Sequence, residues 1–290
     1  MNIMKFRPLF LFISLTLLAI SAFSIIKWQF RLSSDFTGGS VWEVQFSKDI
    51  AKADVEKIFK ETNLDLRDAQ FDSKKASLKF ANIDQSQKTS LDQKFKNLDS
   101  GYLELKYETV GPILGKELMQ KTLVAIILSS LALLIFIGSK FNDFSFGISA
   151  VLAMLHDAFI LLGAFSLLGH FFGAELDSLF VTALLTTLSA SVHDTVVTFD
   201  RIRELRQKNF RLDWESLANS AVSEVIVRSI NNSMTIIFML LSLVLLGGAI
   251  TKWFSLALLI GVVCGTYSST GVAIPLVLLF KKTKTVTKTN

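Results

Sequence analysis

The chain has 290 residues, of which 51% are hydrophobic, and its formal net charge is +5. This composition, with apolar runs long enough to cross a bilayer, is that of an integral membrane protein. The excess positive charge lies near the amino terminus, in the segment 201–211 and in the carboxyl-terminal tail. It therefore reports membrane topology and gives no indication of nucleic-acid binding.

Six apolar runs predict six transmembrane helices, each near or above the ~18–20 residues that a spanning helix needs. They are Pro8–Ile26, Thr122–Ser139, Phe146–Phe172, Leu176–Phe199, Met234–Ile250 and Trp253–Phe280. The first run follows Lys5 and Arg7 as a signal peptide would, but no A-x-A cleavage site comes after it, so an uncleaved helix is expected. We expect the fifth run to extend back towards Arg228.

The segment 30–119, between the first two spans, alternates strand and helix patterns. Four stretches have strand character and two have helical spacing: Val41–Phe46, Leu66–Phe71, Ala76–Phe80 and Gly101–Val110 for the strands, Asp49–Asn63 and Asp84–Leu98 for the helices. The order β-α-β-β-α-β predicts a small α+β ferredoxin-like domain with its helices on one face of a sheet.

Lys and Arg clusters predict which ends of the spans are cytoplasmic. Residues 1–29 are expected to be a cytoplasmic amino terminus and the first helix, and 30–119 an extracytoplasmic domain. Residues 120–290 are expected to supply five more helices, a cytoplasmic loop at 200–227 and a basic tail. Within that loop, Asp213–Val227 is predicted to form a helix lying against the membrane. With six spans, both termini are then cytoplasmic.

Ionisable residues in the spans are the candidate functional groups, because charges inside a membrane usually face the bundle interior and mark ion or proton paths. Asp194 is seven residues before Arg201, hence ~10 Å inside the cytoplasmic boundary at 1.5 Å per residue. Arg228, at the cytoplasmic start of the fifth span, has a similar depth. If these two spans are neighbours, the residues can pair, and a carboxylate balanced between desolvation and a cation can gain and lose a proton.

Asp157, near the middle of the third span, and His193 are further candidates for a proton path. Each candidate also has a structural interpretation. Asp194 and Asp157 can hold helices together through hydrogen bonds, Arg228 can be an interfacial cation that extends towards water, and His193 can be a packing residue. A proton role requires Asp194, whereas a simple membrane anchor does not.

Other chemistry has no support in the sequence. Cys264 is the only cysteine, so no disulfide can form within the chain. There is no glycine-rich phosphate loop, no metal-ligand spacing and no nucleophile–base motif. We therefore expect a protein that is not an enzyme and has no cofactor or metal, driven by a gradient of protons or by a partner's ATPase.

Four separated motifs resemble those of the SecF family, the smaller subunits of the SecDF complex within the RND superfamily. They are Asp35-Phe36-Thr37-Gly38-Gly39, then Val110-Gly111-Pro112 with Gly115, then Ser191–Glu204 with Asp200, Arg201 and Arg203, and finally Arg228–Thr235. The third motif is the most specific. His193 stands where the family usually has Asn, and Ser34 where it often has Gly.

The resemblance implies a partner, SecD, and a position beside the SecYEG channel in the bacterial inner membrane. It implies that Asp194 and Arg228 take part in proton passage and that proton flow drives export of unfolded preproteins. Two alternatives remain open from the residues alone. One is an RND-type exporter of small molecules or lipids, and the other is a membrane-anchored assembly factor without proton coupling.

Overall fold

A computed structural model describes residues 2–141 and 143–286 of the chain. The side chains at positions 72, 112, 138, 249, 250 and 282–286 lie outside this description, as does most of the predicted basic tail. The described chain divides into two compact units. One is Leu32–Val124, here called the sheet unit, and the other, called the membrane unit, is the rest.

The described residues form ten α-helices and four strands. The helices are α1 (Arg7–Trp28), α2 (Ser34–Thr37), α3 (Lys52–Glu61), α4 (Gln85–Leu98), α5 (Pro112–Lys140), α6 (Phe144–Phe172), α7 (Ser178–Lys208), α8 (Trp214–Leu246), α9 (Ala249–Ser268) and α10 (Ile274–Val286). The strands are β1 (Gly39–Gln45), β2 (Leu66–Asp72), β3 (Lys75–Phe80) and β4 (Leu103–Val110). A π-helical turn, Ser269–Ala273, joins α9 to α10.

Six stretches of helix among the described residues are long and apolar enough to cross a membrane, which confirms the predicted number of spans. They are Ile3–Trp28, Ile113–Ile137, Phe144–Phe172, Ser178–Lys208, Trp214–Leu246 and Thr251–Lys281. The last one contains most of α9, the π turn and the first part of α10. All six are longer than the ~20 residues needed to cross the hydrocarbon core.

The fifth span corrects two expectations. The segment Asp213–Val227 does not form a separate helix, because α8 runs without a break from Trp214 to Leu246. The α7 helix likewise continues to Lys208, so only 209–213 is non-helical within the segment 200–227. Asp213 explains where α8 begins, since its side chain accepts a hydrogen bond from the amide of Ser216 as an N-cap.

The membrane unit is organised around α6, α7 and α9. The α7 helix packs most extensively on α9, α8 also packs on α9, and α1 packs on α6. Small residues allow these close approaches. A β-carbon at Gly261 of α9 would lie 2.1 Å from Cγ2 of Thr187, and one at Gly265 would lie 3.2 Å from Cβ of Ser191.

The sheet unit is a four-stranded sheet in the order β2-β3-β1-β4 with every neighbouring pair antiparallel. Alternate residues of β1 and β3 point into one core with residues of α3 and α4. Trp42 of β1 is fully buried there, and its indole N–H donates to Glu104 Oε2 at 3.0 Å. The α3 helix packs on this core through Val55, Ile58 and Phe59, which share one helical face.

Candidate functional site

Asp157 lies at the middle of α6 and is enclosed by protein, with 4% of its surface exposed. Its Oδ2 accepts hydrogen bonds from the hydroxyls of Ser191 and Ser268, each at 2.5 Å. Its Oδ1 lies 2.9 Å from Nδ1 of His156. A single carboxylate therefore contacts its own helix and two others, α7 and α9. Because a buried charge is costly unless it is hydrogen-bonded, these partners are what makes the position tolerable.

Asp194 has a different environment, half-buried on α7 and facing α8. Its Oδ2 accepts a hydrogen bond from Ser229 Oγ at 2.9 Å. It lines a cavity of about 630 Å³ between α7, α8 and α9. The other polar side chains that line this cavity are those of Thr186, Ser189, Ser191, His193, Asn232, Ser233 and Thr266.

Arg228 is not the partner of Asp194 in this conformation. Among the ion pairs of the described residues none joins the two, although α7 and α8 are neighbours. Ser229 points towards α7, whereas the side chain of Arg228, one residue earlier, is exposed on the outside of α8. Consecutive helical residues point about 100° apart, so one residue's shift in register decides which of them meets Asp194.

His193 is exposed and contributes to the cavity wall. His156, by contrast, is buried against Asp157. The two hydroxyls that hold Asp157 were not predicted as ligands from the sequence. Ser268 was one of several small residues in the last span, and its distance of 111 positions from Asp157 gives no local signal.

The end of α7 carries an ion-pair network. Arg201 bonds to both Glu204 and Glu224, and so joins α7 to α8. Asp200 pairs with Lys140 of α5 at 2.9 Å, and Arg203 lies 3.6 Å from Asp200. Exposed pairs of this kind contribute ~0–1 kcal/mol each. These ion pairs join α7 to α5 and α8, which supports a structural role for Asp200 and Arg201.

The two glycine-containing motifs meet within the sheet unit. Gly38 and Gly39 have φ of 70° and 141°, which favour glycine, and they turn the chain from α2 into β1. Phe36 of the same turn is buried. A β-carbon at Gly115 would lie 2.8 Å from the Gly38 amide nitrogen, so the start of α5 packs directly on this turn.

Three further motif residues, Asp35, Gly111 and Pro112, belong to the same region. Ser33 caps the short helix α2 by accepting from the amide of Asp35 at 3.2 Å. Gly111 accepts the amide hydrogen bond of Gly115 at 2.9 Å. Pro112 begins α5, but its side chain lies outside the described residues.

Comparison with known proteins identifies the family. The family described as "Protein export membrane protein SecD/SecF, C-terminal" matches residues 90–283. The chain belongs to the SecD/SecF family. Its relatives include the protein translocase subunit SecF of Thermobaculum terrenum, 38% identical over 92% of this chain and 90% of that protein. The SecF of Anaerolinea thermophila is 34% identical over 97% of this chain and 94% of that protein.

A solved structure of SecDF, a translocon-associated membrane protein from Thermus thermophilus, has the same fold. It superposes with a TM-score of 0.86 and 28% sequence identity over 97% of this chain. This chain covers 39% of that longer protein. The predicted SecF family membership is therefore confirmed.

Proposed function

We propose that this protein acts as a subunit of the Sec preprotein translocase and couples proton flow to the completion of protein export. It acts with SecD, beside the SecYEG channel, on unfolded preproteins. The family membership supports the translocase role, since the relatives are protein translocase subunits by name. It is not an enzyme, and its energy source is the transmembrane proton gradient without a cofactor.

The observation that carries the proton coupling is the contrast between the two carboxylates in the membrane unit. Asp194 borders a polar cavity and has one hydroxyl partner, whereas Asp157 is enclosed. Intramembrane carboxylates of a transporter are expected to lie on its proton path. We therefore place Asp194 on the proton path, and His193 lines the same cavity.

Arg228 completes this proposal as a mobile partner. It lies on the helix whose Ser229 already holds Asp194, and a rotation of α8 about its axis would bring the guanidinium towards the carboxylate. An arriving cation favours the ionised carboxylate and so expels a proton. Alternation between the serine contact and the arginine contact would link proton binding to helix movement.

The membrane arrangement is part of the same proposal. The protein lies in the bacterial inner membrane with both termini in the cytoplasm, contacts membrane lipids through its outer helices, and exposes the segment 30–119 to the periplasm. The strand order β2-β3-β1-β4 with two crossover helices supports a ferredoxin-like domain there. In the same proposal, Asp35 and the Gly38–Gly39 turn have a structural role within this domain.

The test is export driven by a proton gradient into inverted or reconstituted vesicles that contain the protein with SecD. We expect Asp194→Asn and Arg228→Ala to abolish the part of export that depends on the gradient. Asp200→Asn is the matched control, because it is the same substitution on the same helix at an exposed ion pair. It should retain the gradient dependence.

Normal gradient-dependent export by Asp194→Asn would contradict the proton role of this residue and favour an assembly factor without coupling. Isolation of an active assembly that contains this chain but no SecD would favour a self-sufficient RND-type exporter.

A further inference from the structure

The carboxylate of Asp157 is a junction between three helices. Its two serine partners come from α7 and from the last residue of α9. The π turn begins immediately after Ser268. Such turns interrupt the regular helical hydrogen bonding and are frequent at functional sites. The junction therefore sits at the point where the last span has its least regular backbone.

The hydrogen atoms in this junction can be assigned by counting. Hydroxyls that both bond to Oδ2 at 2.5 Å are donors if Asp157 is ionised. His156 then donates its Nδ1–H to Oδ1, as a neutral ring. In this tautomer Nε2 carries no hydrogen, which suits its position, because Nε2 is buried with no hydrogen-bond partner among the described residues.

Uptake of one proton cannot leave these contacts unchanged. If the proton goes to His156, or to Oδ1 with a change of tautomer, the ring acquires a buried Nε2–H without an acceptor. If it goes to Oδ2, the new O–H needs an acceptor, and one serine must stop donating to that oxygen. Ser268 has an alternative acceptor, the carbonyl of Gly265 at 3.3 Å from its Oγ.

We propose that His156 and Asp157 form a second proton-binding site, and that proton uptake there loosens α9 at its π turn. The proton comes from water and binds Oδ2, and the hydroxyl of Ser268 turns to Gly265 and accepts from the new O–H. No other bond forms or breaks. The hydrogen bonds between Asp157 and the hydroxyls of Ser191 and Ser268 change from charge-assisted to neutral bonds, which are roughly half as strong.

The charged groups around the site leave Asp157 without a cation. On α7, Asp194 comes three residues after Ser191 and bonds to Ser229. On α9, the thiol of Cys264 lies within electrostatic range of Asp157, and the hydroxyl of Tyr267 bonds to α1. The charged residues of α1 are at its two ends.

The cations of α7 lie in its last two turns, at 201–208, and that of α9 is Lys252 in its first turn. On α10 the cation with a described side chain is Lys281. It pairs with Asp143 at the start of α6, ~20 Å along the helix from Asp157 at 1.5 Å per residue. Within the described residues the negative charge of Asp157 is therefore balanced by hydrogen bonds alone, and a proton is the cation best placed to neutralise it.

The experiment measures hydrogen–deuterium exchange of the backbone amides of residues 266–276 in the full chain, purified in lipid nanodiscs. Rates at pH 8 and pH 5 are divided by the rate of an unstructured chain at the same pH. We expect the corrected exchange in the wild type to be roughly three- to tenfold faster at pH 5, as the loss of charge assistance implies. Asp157→Asn and Ser268→Ala should be fast at both pH values.

Ser269→Ala is the matched control, because Ser269 is the next buried serine but bonds to the carbonyl of Thr266 instead. It should keep the wild-type dependence on pH. A corrected wild-type rate that does not change with pH, or a pH dependence that persists in Asp157→Asn, would overturn the proposal. If Asp157→Asn does not fold, Ser268→Ala provides the same comparison.

Only the role of this second proton-binding site in export rests on the proposed function. The experiments can refute the second site and the proposed function independently of each other. Asp194→Asn should leave the exchange at the π turn pH-dependent, even though it abolishes gradient-dependent export. If Asp194→Asn instead exports normally, the proposed function fails while the exchange result stands. Loss of the pH dependence in Asp194→Asn would count against an independent site at Asp157.

Discussion

Replacing Gly163 by alanine tests how closely α1 packs against α6. A β-carbon at Gly163 would lie 2.2 Å from Cβ and 2.4 Å from Cα of Ser21. Because the Cα atom belongs to the backbone, rotating the serine side chain cannot relieve the clash. The α1 helix must move by more than ~1 Å to restore ordinary contacts of ~3.5–4.0 Å between carbon atoms.

The free energy of this change follows from two opposing effects. Overpacking costs ~1–3 kcal/mol, and the upper part of that range applies because backbone must shift. Alanine returns ~0.5–1 kcal/mol relative to glycine inside a helix. We therefore expect Gly163→Ala to destabilise the membrane unit by ~1–2 kcal/mol.

Thermal unfolding of the purified protein in detergent measures this effect. Gly147→Ala is the matched control on the same helix, because a β-carbon there would meet nothing within 4 Å. Its melting temperature should equal or slightly exceed that of the wild type, whereas Gly163→Ala should melt several degrees lower. Equal melting temperatures for the two variants would refute the close contact between α1 and α6.

Two further predictions concern the sheet unit, and protease resistance of the full chain measures both. Donation by the Ser47 hydroxyl holds the pKa of buried Asp99 below its usual value despite desolvation, with help from backbone amides. Because the folded pKa is lowered, ionised Asp99 stabilises the unit above the unfolded pKa of ~3.9, and this stability is lost as the pH falls through the folded pKa. Asp99→Asn should therefore make the unit less stable at pH 7 and reduce the further loss of stability in acid. Equal protease resistance of the variant and the wild type at pH 7 would contradict this. Leu78→Ala, at a fully buried position, should cost ~2–5 kcal/mol. Leu103→Ala, at a position 59% exposed in the same sheet, should cost far less, and similar losses for both would argue against the core described.

Local periodicity in the sequence predicted much of the fold. The six spans and the order of strands and helices follow from hydrophobic spacing, which each segment carries by itself. The extent of α8 was missed for the same reason. The polar residues after Asp213 suggested a helix separate from the span, but nothing there breaks the backbone hydrogen bonding, and α8 continues through Arg228 into the apolar part.

The sequence by itself determined that Asp194 and Asp157 lie within membrane-spanning helices, because their apolar surroundings are contiguous along the chain. The tertiary structure alone decided their partners. Whether Ser229 or Arg228 meets Asp194 depends on the rotation of α8 about its axis. The junction at Asp157 joins residues 34 and 111 positions away. Such contacts depend on which faces of distant helices meet, and hydrophobic spacing within one helix does not encode that.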